Sequence, residues 1–492
     1  MALARIKNPE QLKQCKPGEI GRIIGLDRIP EVRCLRDKIK LLTYQKKATI
    51  FNNLLIDQWY PEESENADFF YIDGHQRIYY GSKANLPAKF ISRQKLCLSA
   101  TTEFWVNDAA GMPVMMVIGQ LSEKLQFAIE QMIIPQMMQT NLLIPLDNDN
   151  LPEKPQCTFV FDREAYEPAF FQRLWEKYRI AIITYRKNVK ERWEDNCFKQ
   201  VDTKVLDNTI NMLLCEQETV LGGIRFREIR RLKESGHQTA IITNNKILNT
   251  DEIAGKMFGR WSQENFFRYL IADYDFDKMI EFGSEIIDEE KQVVNPVYRK
   301  LNHQIKKLRE KKGRLEAKFY PLAEMVMDQD IDNLPRLTLK QEEYKEAIEK
   351  LNKEELKLLK KRKDCQPKIK LKEMAENKRY NKLKTESKLL MNVIKMICYR
   401  AETSVASLAA PYLSREENEK RMFIKQIIKN NADIIPDYQN KTLTVILHSL
   451  SAPRFNKAVN QLCKLLNETE TIFPGTNLRM VYKTTASLNC VK

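Results

Sequence analysis

Three carboxylate residues lie where they could hold metal ions. Asp73 is in FFYIDGHQRIYY, a stretch rich in aromatic and β-branched residues, and Asp162 closes the apolar run CTFVFD. Glu264 comes later, in the helical pattern RWSQENFF. Mg²⁺ prefers carboxylate oxygen, and phosphoryl transfer commonly uses two such ions about 3.5–4 Å apart. If the two Asp strands are neighbours and the Glu helix crosses their edge, these residues predict a site for two Mg²⁺ or Mn²⁺ ions.

Each Asp also has an ordinary structural alternative. Asp162 could end a strand in a turn or cap the following helix, and Asp73 before Gly74 could form a hairpin turn. An Asp flanked by apolar residues in a strand costs stability unless it is paired or metal-bound. His75, two residues after Asp73, could line the same site or be a structural histidine.

The elements around these residues predict how they are positioned. FFYIDGHQRIYYG, RQKLCLSATTEFWVND and PVMMVIGQ favour three consecutive antiparallel strands. A helix within residues 121–138 follows, then strand CTFVFD, helix EPAFFQRLWEKY and strand IAIITYRK. This order is typical of an α/β, ribonuclease-H-like mixed sheet covered by helices.

Changes in the pattern of apolar residues divide the rest of the chain into regions. Short strand-like pieces predict a β-rich insertion, and a helix containing Glu264 follows it, with Asn249 or Thr250 as the N-cap. The predicted regions are a helical N-terminal region (1–66), the first part of the catalytic core (67–187), the β-rich insertion (188–250), the core helix with Glu (251–296), a charged helical arm (297–400) and a small C-terminal α/β unit (401–492).

The predicted arm rests on two apolar stripes. Leu301, Ile305, Leu308, Leu315 and Phe319 form one, and Tyr344, Ile348, Leu351 and Leu358 form the other. Two long antiparallel helices with a coiled-coil-like seam would bury both. The Lys-rich surface could lie along DNA or be a solvated face. The acidic break at Asp328, Asp330 and Asp332 lacks the Gly and the terminal Glu of an EF-hand, which excludes calcium binding there.

Composition limits the class of protein. Of 492 residues, 43% are hydrophobic, which allows a large core, and a net charge of +15 suits a polyanionic partner. A merely basic protein, or one attracted to anionic membranes, remains an alternative. The ten cysteines include no C-x-x-C pair, which indicates free thiols in a reducing compartment. No stretch resembles a signal peptide or a membrane span, so we expect a soluble intracellular protein with no membrane partner.

Several sequence blocks carry a resemblance to a known family. YIDGHQRIYYG, LCLSATTEFWVNDAAGMPV, TFVFDREAY, ITYRK and GRWSQENFFRY resemble the DDE transposases of bacterial insertion sequences. The likeness is greatest to the group with a β-strand insertion between the second Asp and the Glu. It extends from about Leu3 to about Tyr482 and is specific in the catalytic blocks but vague in the arm.

The residues around Glu264 match that group in part. Its members usually surround the Glu with the pattern Tyr-x₂-Arg-x₃-Glu-x₆-Lys. Arg260 stands at the Arg position here, but Met257 replaces the Tyr and Ile271 replaces the Lys. Arg268, one helical turn after Glu264, could replace the Lys as a phosphate contact. Trp261 and Phe266 are expected to anchor the helix in the core rather than stack on bases.

The resemblance implies a function and its residues. It implies metal-dependent cleavage at the ends of a mobile element, followed by attack of the freed 3′-hydroxyl on target DNA. Asp73, Asp162 and Glu264 would bind two Mg²⁺ or Mn²⁺ ions, and Arg260 would clamp a phosphate. The implied partners are double-stranded DNA, both element ends and target, and a second copy of the chain in a homodimer. The implied location is the bacterial cytoplasm or nucleoid.

Two other functions fit the same residues. One is a ribonuclease-H-like nuclease that cuts without rejoining, and the other is a DNA-binding protein derived from a transposase whose acids are vestigial. No helix-turn-helix for the element ends is recognisable in the sequence. Either a recognition domain precedes this chain, or the insertion and arm bind the ends.

Overall fold

The fold has a mixed α/β architecture. A computed structural model describes residues 1–61, 67–121, 123–146, 154–206, 208–276, 283–327, 334–413 and 417–485. The chain forms two compact units. Unit 1 comprises Met1–Tyr80, Ala88–Phe282 and Lys384–Lys492, and unit 2 comprises Gly81–Pro87 and Gly283–Leu383.

The strands in chain order are β1 Phe69–Ile78, β2 Ala88–Ile91, β3 Leu96–Asp108, β4 Pro113–Gly119, β5 Cys157–Phe161, β6 Ile180–Tyr185, β7 Lys199–Val205, β8 Asn208–Leu221, β9 Ile224–Leu232, β10 Gln238–Thr243, β11 Ser284–Glu285, β12 Gln292–Val294, β13 Lys368–Lys370, β14 Lys382–Leu383, β15 Ala432–Asp437, β16 Thr442–Leu447 and β17 Arg479–Thr484. The helices are α1 Pro17–Ile23, α2 Val32–Tyr44, α3 Ala48–Trp59, α4 Leu125–Ala128, α5 Ile134–Met137, α6 Pro168–Tyr178, α7 Thr250–Gly259, α8 Trp261–Tyr274, α9 Pro296–Met327, α10 Leu334–Lys363, α11 Glu386–Ala409, α12 Glu417–Lys429 and α13 Pro453–Glu468. A π-helical turn, Ile129–Ile133, joins α4 to α5.

A ten-stranded sheet organises unit 1. Its order is β2-β3-β1-β5-β6-β10-β9-β8-β7, with β4 also paired to β3. The three antiparallel strands predicted from sequence are confirmed as β1, β3 and β4. β5 and β6 continue the sheet in parallel to β1. The carboxyl ends of β1, β5 and β6 therefore point in one direction.

Helices cover both faces of this sheet because its central strands are apolar on both sides. Phe70 and Phe159 lie in one core cluster with residues of α4–α5 and α6. Tyr71 and Val160, one position further along each strand, lie in a second cluster with α7. Successive side chains of a strand point to opposite faces, so alternate residues of β1 and β5 face α7.

The segment predicted as a β-rich insertion forms β7–β10, which extend the same sheet. β10 pairs antiparallel with β6, so the sheet continues directly into these strands. Positive φ angles at Gly222, Gly223 and Gly236 form the expected turns. α7 crosses close to β7, since a Cβ built on Gly255 would lie 2.3 Å from the carbonyl oxygen of Lys204.

Two long antiparallel helices of unit 2, α9 and α10, lie in the range where the arm was predicted. Arg309 of α9 bonds Glu355 of α10 at 2.6 Å, and Arg362 bonds Asn302 at 3.1 Å. Ile305 of α9 and Leu351 of α10, one from each predicted apolar stripe, are buried. The acidic break at residues 328–333 lies outside the described residues. α11 begins within the range predicted for the arm and ends beyond it, and it belongs to unit 1.

The C-terminal part of unit 1 has its own small sheet. The two predicted strands are confirmed as β16 and β17, which pair in parallel, and the helix predicted between them is α13. β15, which was not predicted, pairs antiparallel with β16. Among the described residues, no helix combines the length and the hydropathy needed to cross a bilayer.

Candidate active site

Parallel pairing of β1 with β5 brings the two Asp residues to one place. The two strands are in register up to Ile72 opposite Phe161. Asp73 and Asp162 are the next residue on each strand, so they lie side by side. Both alternate in phase with Tyr71 and Val160, which face α7. The two carboxylates are therefore on the α7 side of the sheet.

Asp73 lies inside β1, so the hairpin-turn alternative is wrong. Pairing with β3 continues past it, from Asp73 opposite Trp105 to Gly74 opposite Phe104 and beyond. The Gly74 N–H donates to the Asp73 carboxylate at 2.8 Å. Burial raises the pKa of Asp73, and the nearby guanidinium of Arg260 opposes that rise.

Asp162 lies between the last residue of β5 and the 3₁₀ turn Arg163–Ala165. Its side chain accepts a hydrogen bond from the Arg163 N–H at 2.7 Å and so caps this short turn. The predicted strand-end turn is therefore confirmed, whereas the helix that follows, α6, begins after Glu167 and is not capped by Asp162. Capping leaves the other carboxylate oxygen of this exposed residue for a further ligand. The negative charges of Asp162 and Glu264 both act on Asp73 and raise its pKa further, so the three acids share one electrostatic environment.

α7 and α8 position Glu264 over this strand edge. α7 begins after Asn249, whose N–H donates to the Glu252 carboxylate at 2.8 Å. α8 is fixed by Gln263, which is fully buried. Its amide donates to the carbonyl oxygens of Tyr71 and Trp105 at 3.3 and 3.1 Å, and lies 3.1 Å from the Asn107 side chain. Because these acceptors belong to β1 and β3, Gln263 locks the helix turn next to Glu264 onto the sheet.

Arg260 links two of the three acids. Its guanidinium lies 3.0 Å from the Glu264 carboxylate, one helical turn away, and 3.7 Å from the Asp73 carboxylate. Only 11% of its side chain is exposed, against 40% for Glu264. The sequence predicted this residue as a phosphate clamp; here it acts as the counter-ion of the acidic site.

Two further residues surround the acids and were missed in the sequence. Glu164, two positions after Asp162, has its pKa raised by loss of hydration and then by the charges of Asp73 and Asp162. Tyr185 ends β6, and burial raises its pKa while Arg260 opposes the rise. The signal available in the sequence was their position at or just after the ends of the adjacent strands β5 and β6.

The surrounding aromatic residues separate into core and surface. His75 is a structural histidine, because it is 5% exposed and packs on Phe267 with ring centroids 5.3 Å apart. Trp105 and Phe266 are fully buried, so the predicted anchor role of Phe266 is confirmed. The same prediction for Trp261 is wrong: it is 60% exposed. As the first residue of α8 it precedes the turn that meets the sheet, which leaves its ring in solvent.

The positions that depart from the transposase pattern also differ in environment. Met257, at the Tyr position, is fully buried in the core beneath α7. Ile271, at the Lys position, packs against the aromatic core of α8. Arg268 is exposed on α8, and its suggested phosphate contact stays a prediction.

The site is acidic, and the guanidinium of Arg260 lies beside its carboxylates. Across the ranges that the structure describes, no three His, Cys, Asp or Glu side chains are grouped so that they could hold a metal ion directly. Glu264 is directed to the guanidinium of Arg260, 3.0 Å away. The donors are nevertheless carboxylate oxygens, the type that hard divalent cations prefer.

Comparisons with known proteins identify the family. Comparison with curated proteins found no match. A cryo-EM structure of the piggyBac transposase synaptic complex with hairpin DNA aligns with a TM-score of 0.31 and 7% identity, covering 55% of this chain and 56% of that one, about half its length. The family model Transposase_29, described as "Transposase protein", matches residues 1–486. Because that match spans nearly the whole sequence, the chain belongs to this family of transposase proteins.

Proposed function

We propose that this protein is a DDE transposase of the insertion-sequence type, which cleaves DNA at the ends of a mobile element and joins them to a target. Asp73, Asp162 and Glu264 are the proposed metal-binding carboxylates, and Arg260 is the proposed phosphate contact. The observation that carries the proposal is the adjacency of Asp73 and Asp162 on parallel strands, with Glu264 held near them on α8 by Arg260.

The strand order supports a ribonuclease-H-like core. β4, β3 and β1 form an antiparallel set, and β5 and β6 follow in parallel on the other side of β1. This is the order that the sequence pattern predicts for such a core. β7–β10 lie between Asp162 and Glu264 in the chain, where the resembling group carries its β insertion.

Asp73, Asp162 and Glu264 would hold two Mg²⁺ or Mn²⁺ ions once Glu264 turns away from Arg260, because carboxylate oxygen is the ligand type that these ions prefer. Bound metal would activate the attacking oxygen and stabilise the leaving oxygen. Asp73 is fixed in a strand, whereas Glu264 is 40% exposed and can rotate to a new partner. Arg260 would then be released from Glu264, and its planar fork suits a DNA phosphate. The protein thus keeps its acidic site neutralised until a metal and a phosphate replace the internal ion pair.

The proposed substrates are duplex DNA at both element ends and at the target. A net charge of +15 is consistent with a polyanionic partner. Since two ends must be cut and joined, a homodimer on DNA is the proposed assembly, and the bacterial cytoplasm or nucleoid is its proposed location.

The first test is cleavage and joining of labelled DNA that carries the terminal repeats flanking the coding sequence. Wild type and Asp162→Asn are compared, each with Mg²⁺ or with EDTA. Asp433→Asn, an exposed Asp in the C-terminal sheet, controls for the loss of one charge. We expect metal-dependent cutting by wild type and by the control, and none by Asp162→Asn.

The products separate the remaining functions. Joined products identify a transposase, and cut but unjoined products identify a nuclease. Binding without cutting by all three proteins in any metal would refute the catalytic proposal and indicate a DNA-binding derivative.

A second measurement does not depend on the DNA sequence. Metal that binds only the folded protein raises its melting temperature. We therefore expect Mg²⁺ or Mn²⁺ to stabilise wild type and the Asp433→Asn control but not Asp162→Asn. No metal-dependent shift in any of them at millimolar concentrations would contradict the proposed metal site.

A further inference from the structure

A row of basic side chains runs along α9 of unit 2. It consists of Lys300, Lys307, Lys311, Arg314 and Lys318. Their spacings of seven, four, three and four residues place all five on one face of the helix. At 1.5 Å per residue the row is about 27 Å long. We call it the α9 basic stripe.

The stripe is separate from the seam that holds the arm together. Ile305, on the apolar stripe of α9, is 2% exposed, whereas all five residues of the α9 basic stripe are exposed. The seam residues Leu308 and Leu315 each differ from stripe residues by one position, which is about a quarter turn around the helix. Packing against α10 therefore leaves the stripe facing water.

None of the five stripe cations has an acidic partner within ion-pair distance among the described residues. The acids nearest in sequence are already paired: Glu310 with Lys306 and Glu316 with Lys312, each at 3.8 Å. Arg309, beside the stripe, is paired with Glu355 across the seam at 2.6 Å. Five like charges in a row repel one another, and nothing described in the arm neutralises them.

α10 differs from α9 in this respect. From Lys340 to Lys357 its lysines alternate with Glu342, Glu343, Glu346, Glu349, Glu354 and Glu355, so both signs are mixed over this length, and only its last turn, Lys360–Lys363, is wholly basic. A charged face kept only for solubility would resemble this mixture. The single sign of the α9 stripe indicates an anionic partner that is as long and straight as the stripe.

We propose that the α9 basic stripe binds the sugar-phosphate backbone of duplex DNA. This inference rests on the proposed function, which makes DNA the substrate, and it assigns a second contact outside the catalytic sheet. Duplex DNA carries a phosphate every 3.4 Å of axis on each strand, so about 27 Å covers roughly eight base pairs. Lys and Arg contact phosphates without reading bases, so the contact is independent of sequence.

The test is DNA binding by the full chain in EDTA, which keeps it separate from cleavage. A stripe variant replaces all five residues with Gln: Lys300, Lys307, Lys311, Arg314 and Lys318. A matched variant makes the same substitution at five lysines of α10: Lys340, Lys345, Lys350, Lys353 and Lys357. Both lose five positive charges on exposed helix surface, and circular dichroism checks that the arm stays helical.

The expected result is specific to the stripe. For a 30-base-pair duplex of arbitrary sequence, affinity at 0.1 M salt falls by roughly tenfold or more in the stripe variant, and the slope of log affinity against log salt becomes shallower by about 4. The α10 variant changes much less. Equal losses of affinity in both variants would show an effect of net charge alone and overturn the proposal. Unchanged DNA binding by the stripe variant would also overturn it, as would competition by polyglutamate that is as strong as competition by DNA.

Failure of this inference is distinguishable from failure of the proposed function. Stripe-dependent binding without metal-dependent cleavage would leave the inference standing and remove the catalytic proposal. Metal-dependent cleavage by wild type, together with DNA binding that does not depend on the stripe, would support the catalytic proposal and overturn this inference.

Discussion

Gln263 offers a direct test of how α8 is attached to the sheet. Its side chain is fully buried, and its amide reaches two strand carbonyls and the Asn107 side chain at 3.1–3.3 Å. Replacing it with Met keeps the length and volume of the side chain but removes both N–H donors. We therefore predict that Gln263→Met destabilises unit 1 without collapsing its core.

The magnitude follows from the bonds that are lost. An amide has two hydrogens, so two hydrogen bonds are lost at any one time. Each contributes about 0.5–1.5 kcal/mol net, and a buried acceptor left without a donor costs about 1–3 kcal/mol. Removal of the buried Gln263 Oε1, which has no hydrogen-bond partner among the described residues, offsets part of this loss, so we expect the free energy of unfolding to fall by roughly 1–3 kcal/mol.

The assay is urea unfolding followed by tryptophan fluorescence. All five tryptophans lie in unit 1, and Trp105 is itself one of the acceptors, so the signal reports this unit. The midpoint should fall with an unchanged slope. Asn265→Met, at an exposed position two residues further along α8, is the control and should stay within about 0.5 kcal/mol of wild type. A Gln263→Met midpoint equal to that of the control would refute the anchoring role.

Three further predictions concern the same region. Burial raises the pKa of Asp73 above 3.8, so the stability that its protonated form provides is lost as the pH rises through the raised pKa. We therefore expect Asp73→Asn to melt at a higher temperature than wild type at pH 7. The difference in melting temperature should narrow toward pH 4. A melting difference that does not depend on pH would contradict this. Gly255→Ala should lower the free energy of unfolding, measured in urea, by about 1–3 kcal/mol or more, although Ala has the better helix propensity. The reason is that the new Cβ would lie 2.3 Å from the carbonyl oxygen of Lys204. A stabilised variant would show that α7 does not approach β7 so closely. Trp261→Ala should lower the free energy of unfolding by less than about 1 kcal/mol, and Phe266→Ala should lower it by about 3–5 kcal/mol. The difference is expected because Trp261 is 60% exposed and Phe266 is fully buried. Equal losses of stability would support the core role first expected for Trp261.

Local patterns in the sequence predicted most of the individual elements. The pattern of apolar residues predicted strands β1, β3 and β4, and the two apolar stripes predicted the pair of antiparallel helices α9 and α10. These succeed because side-chain periodicity depends only on neighbours along the chain. The candidate acids were also found from the sequence, since an Asp inside an apolar strand is unfavourable without a partner. Their assignment as metal ligands stays a prediction.

Contacts between distant parts of the chain were not predictable in this way. β6 pairs with β10 rather than with β7, which makes the predicted insertion an extension of the main sheet. α11 belongs to unit 1 although it follows the arm in sequence. Both depend on pairings that leave no local periodicity.

The sequence by itself determined the candidates for the proposed metal-dependent site: residue type, strand ends and family resemblance single out Asp73, Asp162, Glu264 and Arg260. Only the tertiary structure decided how they meet. The register of β1 with β5 places the two Asp residues side by side, and Gln263 fixes the helix that carries Glu264. It also decided that Trp261 faces solvent, although its pattern matches a core residue. The physical reason is that exposure and proximity depend on which surfaces pack together, and that choice minimises the free energy of the whole chain rather than of any one segment.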